Sequence, residues 1–155
     1  MENINLQEVY DTAGERFRKG EYFCSEAIVS TIRDFFDPNM PVELIATASG
    51  FPVGVGRQKC MCGAISGGVI ALGYFFGRTQ PSDPKVNKTL ELTAELHQVF
   101  REKNKVACCS ILTKGMDMAS GEHKDQCVRF TSEMAKETAR IIAREKNIPV
   151  VEDNA

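Results

Sequence analysis

The sequence predicts an all-α fold: a single-domain helical bundle around one glycine-rich central helix. Three observations carry that expectation. Apolar residues recur at helical spacing in several separate segments, and no series of segments alternates apolar and polar residues as half-buried strands do. Residues 61–76 are apolar on every side and rich in small residues, which suits a helix enclosed by others.

The first helix is predicted over 5–19, with Leu6, Val9, Tyr10, Ala13 and Phe17 on one stripe before Gly20 interrupts it. A second pattern begins at Tyr22, with Ala27, Ile28, Ile32, Phe35 and Phe36 apolar. Cys24 lies in its first turn, in line with Ile28 and Ile32 on the core side. The positive end of the helix dipole is expected to lower the thiol pKa there. Asp37-Pro38-Asn39 is a stop and turn, and Pro41 suits the start of a short helix over 42–48 that buries Leu44, Ile45 and Ala48.

Residues 50–68 are the most informative stretch. A loop punctuated by Gly54 and Gly56, which permit positive φ, runs into Cys60-x-Cys62 and then into the central helix. Glycine costs a helix about 1 kcal/mol relative to alanine, so the glycines of this helix need a packing reason. Gly63, Gly67 and Ala71 recur every four residues and make a groove for a close neighbour. That groove also permits a homodimer contact. A buried strand over the same residues is disfavoured by the length of the run and its lack of alternation.

Asp83-Pro84 is a cap followed by proline at the first helical position. The helix it opens reaches about Asn104, with Val86, Leu90, Thr93, Leu96, Val99 and Phe100 on one face. Cys108 and Cys109 precede a short apolar segment, and 116–121 form a polar connection. The last helix is predicted over 124–146, with Cys127 in its first turn and Phe130, Met134, Thr138 and Ile141 also facing inward. One domain is expected over 1–148, with a frayed C-terminal tail at 149–155.

The totals exclude several function classes. A formal charge of −2 with scattered basic residues gives no nucleic-acid footprint. The apolar run 61–76 falls short of the roughly 18 residues of a membrane span. The N-terminus has neither the basic nor the apolar region of a secretory signal, so a cytoplasmic protein is expected. There, six cysteines are read as ligands, reactive thiols or core residues rather than structural disulfides. No P-loop, G-x-S-x-G or H-E-x-x-H is present.

Cys24, Cys62, Cys109 and Cys127 all fall at predicted element starts, where they can converge if those starts gather at one end of a bundle. The runs Cys24-Ser-Glu-Ala, Ala48-Ser-Gly-Phe-Pro-Val-Gly-Val-Gly-Arg, Cys62-Gly-Ala-Ile-Ser-Gly, Cys109-Ser-Ile-Leu and finally Cys127 resemble the redox-active C_GCAxxG_C_C family over about residues 20–145. The same module is similar to the cluster-bearing part of split-Soret cytochromes, although no C-x-x-C-H for covalent haem occurs. The resemblance implies that Cys24, Cys62, Cys109 and Cys127 are the family cysteines. Cys60 and Cys108 are additions beside two of them.

The function expected from these features is that of an iron–sulfur electron-transfer or redox-sensing protein, an accessory to a redox partner protein more than a stand-alone enzyme. Its ligands would be Cys62, Cys109, Cys127 and either Cys24 or Cys60, with Gly63 beside them and a [2Fe–2S] cluster favoured over [4Fe–4S]. Amides of the glycine-rich loop and of helix starts are suitable donors to such a group. One alternative is a metal-free thiol–disulfide oxidoreductase, with Cys24 and Cys62 as reactive thiolates. The other is a structural zinc module using three cysteines and His123.

Overall fold

The computed structural model describes residues 3–152; the expectations for residues 1–2 and for the last three residues of the tail lie outside them. The helices are α1 (Leu6–Arg18), α2 (Cys24–Phe36), α3 (Glu43–Thr47), α4 (Gly63–Phe76), α5 (Val86–Asn104), α6 (Cys109–Leu112) and α7 (Gly121–Glu145). The all-α expectation holds, and 63–76 form a helix rather than a strand.

The predicted stripes make the core. Leu6, Val9 and Ala13 of α1, Ile28 and Ile32 of α2, and Phe130, Met134, Thr138 and Ile141 of α7 are all buried. Helix α1 lies along α7, while α4 packs on α2, α5 and α7. The glycines of α4 are occupied from within the chain. A Cβ on Gly67 would lie 2.7 Å from Ser25 O on α2, and one on Gly68 would lie 2.5 Å from both Leu96 on α5 and Thr138 on α7. The contact that the glycine groove permits is thus filled by neighbouring helices of the same chain.

Several local expectations are corrected. Helix α5 turns Leu92, Leu96 and Phe100 inward, spaced four apart, and leaves Leu90 exposed. In the short α3, Leu44 and Ile45 are only partly buried; Ala48 is fully so. Helix α7 begins earlier than predicted, because Ser120 accepts a hydrogen bond from the His123 amide and caps it. Cys127 is therefore the seventh residue of its helix and not in the first turn. The chain also does not fray directly after Pro149. Strand β2 (Val150–Val151) pairs in parallel with β1 (Ile4–Asn5), and the Ile4 amide donates to Pro149 O at 2.9 Å. Among the described residues, no helix is long and apolar enough to cross a membrane.

Candidate redox site

Cys24 is the first residue of α2, and the start of that helix is fixed from three directions. The Phe23 amide donates to Glu26 at 2.9 Å, the Ser49 hydroxyl donates to the other oxygen of Glu26 at 2.7 Å, and the Ser25 hydroxyl donates to Ala48 O at 2.8 Å. The end of α3 thus pins the helix that carries Cys24.

Cys62 is the N-cap of α4, and its amide donates to Ala107 O at 2.9 Å. That bond draws the segment preceding α6 against the start of α4. Cys109 opens α6, where the Thr113 hydroxyl donates back to Cys109 O at 2.7 Å and the Gln126 side chain donates to Leu112 O. The second of these ties α6 to α7. On α7, Cys127 Sγ lies 3.5 Å from Nε2 of His123, one turn earlier.

Together Cys24, Cys62, Cys109 and Cys127 line one cavity of about 90 Å³, walled by Phe17, Phe23, Phe130, Val53, Gly54, Gly63, Ala64 and His123. Cavities for organic cofactors typically measure about 300–1,000 Å³, so this one suits only a compact group. A larger open groove of about 580 Å³ shares Phe17 and Phe23 as walls and contains none of the cysteines. The four thiols surround their cavity without converging on a point. Among the described residues, no group of three or more His, Cys, Asp or Glu is arranged to hold a single metal ion.

Burial governs the thiol chemistry. It pushes Cys24 far above the ordinary thiol range, with further elevation from Cys62 and Cys127. Cys62 is pushed up to about 11, and Cys127 to about 12, again first by burial. Cys109 is raised by burial, partly offset by Thr113 and Lys59. The dipole-lowered thiol expected at Cys24 is therefore corrected: at a helix start inside an apolar cavity, desolvation outweighs the dipole.

Backbone amides work in the opposite sense. Those of Ser25 and Val53 are directed at Cys24, and those of Ala64 and Ile65 at Cys62, each favouring the thiolate. The loop over 51–60 is what places Val53. Val53, Gly54, Val55, Gly56, Arg57 and Lys59 all have positive φ, and the turn is closed by Val55 N to Phe51 O (2.9 Å), Lys59 N to Val53 O (3.1 Å) and Cys60 N to Gly54 O (3.1 Å). Gly54 is obligatory there, since a Cβ would lie 2.2 Å from the Cys60 nitrogen. Gly63 is obligatory for the site itself, since its Cβ would lie 2.5 Å from Cys24 Sγ.

Cys60 does not line the cavity. It is exposed, and its Sγ lies 2.6 Å from that of Cys108. Sequence reasoning did not anticipate this pairing, nor Val53 and Phe23 as walls of the site. Val53 carries no local signal, because it contributes an amide rather than a side chain.

A family model described as "Putative redox-active protein (C_GCAxxG_C_C)" matches residues 22–141. No curated protein and no solved structure matches the chain.

Proposed function

The chain belongs to the C_GCAxxG_C_C family of redox-active proteins, and we propose that it holds an iron–sulfur cluster through Cys24, Cys62, Cys109 and Cys127. The observation that carries this reading is the convergence of four cysteines, from four separate elements, on one compact apolar cavity. A set of four cysteine sulfurs is the donor set of such clusters, of [2Fe–2S] and [4Fe–4S] alike.

The metal-free thiol reading is weakened by burial, which keeps these cysteines protonated and poor as nucleophiles. Metal ligation deprotonates a thiol outright, and the cluster when bound would supply one-electron redox chemistry. The protein's part is to hold and insulate. Amides of Ser25, Val53, Ala64 and Ile65 stabilise charge on Cys24 and Cys62, while Phe17, Phe23 and the buried Phe130 line the cavity with apolar surface. The role that follows is electron transfer or redox sensing beside a partner protein.

Anaerobic reconstitution with iron and sulfide, followed by metal and sulfide analysis and a visible spectrum, tests this. A coloured protein that loses its colour on Cys62→Ser, Cys109→Ser or Cys127→Ser, but keeps it on Cys60→Ser, is expected. A colourless wild-type protein overturns the proposal.

A further inference from the structure

Outside the cavity lies a second pair of sulfurs. Cys60 and Cys108 are free thiols with Sγ atoms 2.6 Å apart, whereas a disulfide bond is about 2.03–2.05 Å long. Cys60 is exposed and Cys108 half-buried. Their approach is held by the backbone on both sides. The Ser110 amide donates to Lys59 O at 2.8 Å, and the Cys62 amide donates to Ala107 O at 2.9 Å. These two bonds lock segment 59–62 against 107–110 in a register that sets Cys60 opposite Cys108. The Gly54 carbonyl further holds the Cys60 amide at 3.1 Å. The proximity is thus built by the fold.

We propose that Cys60 and Cys108 form a reversible disulfide, a two-electron redox site that exchanges with low-molecular-mass disulfides at the protein surface. The thiolate of one cysteine attacks a sulfur of a small disulfide RSSR, forming a mixed disulfide and releasing one RS⁻. The thiolate of the other then attacks the protein-bound sulfur, closing Cys60–Cys108 and releasing the second RS⁻. Two protein thiols and one RSSR give one internal disulfide and two RSH: the cysteine sulfurs lose two electrons, and their protons leave on the released thiols. Closure joins covalently the two segments that carry Cys62 and Cys109, so the surface pair fixes the framework of the inner site when oxidised. This inference rests on the backbone register and the sulfur contact, and it stands whether or not the cavity takes a cluster.

The test uses the whole 155-residue chain, metal-free, in buffers of oxidised and reduced glutathione, quenched with acid, freed of glutathione and then weighed intact and titrated for thiols under denaturing conditions. In the oxidising buffer the wild-type protein should lose two of its six thiols and fall in intact mass by about 2 Da without a glutathione adduct, reversibly on reduction. Tryptic digestion should then link the peptide beginning at Cys60 to the one beginning at Val106. Each of these peptides carries two cysteines, so Cys60→Ser and Cys108→Ser assign the bond: both substitutions should abolish the 2 Da form. Retention of all six thiols by the wild type overturns the proposal, as does accumulation of glutathione adducts in place of the internal bond. Persistence of the 2 Da form in both variants overturns it as well, because the pair would then lie elsewhere.

Discussion

Gly63 lacks a side chain where a Cβ would lie 2.5 Å from Cys24 Sγ and 3.3 Å from Phe51 O. Gly73, on the same helix, has nothing within 4 Å of that position. The two therefore respond oppositely to the same change. Gly63→Ala should cost about 1–3 kcal/mol through overpacking and reduce the iron retained on reconstitution by half or more. Gly73→Ala should gain about 0.5–1 kcal/mol, because alanine loses less backbone entropy in a helix. Urea denaturation of the two metal-free variants reads the difference, and equal stabilities would remove the packing argument. A third residue tests the loop. Val55 has φ of 56° with its side chain 47% exposed, so a β-branched residue sits in left-handed space with little burial in return. Val55→Gly should raise stability by up to about 1 kcal/mol, the relief of left-handed strain exceeding the entropy that glycine adds to the unfolded chain. A destabilised variant would show that the Val55 side chain packs more than its exposure indicates.

At the scale of elements, the start of α7 illustrates what local pattern carries and what it misses. The stripe Phe130, Met134, Thr138 and Ile141 made the helix legible, since burial enforces its period. The first turn was not legible. Gly121, Glu122 and His123 bury nothing fully, and Ser120 is one polar residue in a polar run until its hydroxyl is seen to accept from the His123 amide at 3.1 Å. Ser120→Ala should cost about 1 kcal/mol, and Ser120→Asp should retain most of it; thermal unfolding of the two variants checks the cap. The β1–β2 pair escaped for a different reason: two-residue strands joining the ends of the chain leave no periodicity to read. Within the site, the inward cysteines were legible from helix starts and stripes. The partner of Cys60 was not, because it depends on the register of 59–62 against 107–110, and two hydrogen bonds between distant segments set that register.

Across the whole molecule, gathering four thiols in one apolar cavity has a consequence for stability against pH. An unperturbed cysteine titrates near 8.5, whereas burial holds Cys62 to about 11 and Cys127 to about 12, and raises Cys24 and Cys109 as well. Above the ordinary thiol range the unfolded chain releases protons that the folded chain still holds, so rising pH favours unfolding. The metal-free protein should therefore keep its full stability below about pH 8.5 and lose it progressively as pH approaches 11–12. The loss should be about 1 kcal/mol per raised thiol for each pH unit above 9. Urea midpoints at pH 7.5, 9 and 10 measure it, and Cys62→Ser and Cys127→Ser isolate the thiols from lysines and tyrosines that titrate in the same range. Each variant should show a shallower fall than wild type. Reconstitution with iron and sulfide should flatten the wild-type curve, because ligated sulfurs no longer carry the protons whose release drives it. Parallel curves for wild type and both variants would mean that the fold does not hold these thiols protonated, and the argument from burial against free-thiol chemistry would go with it.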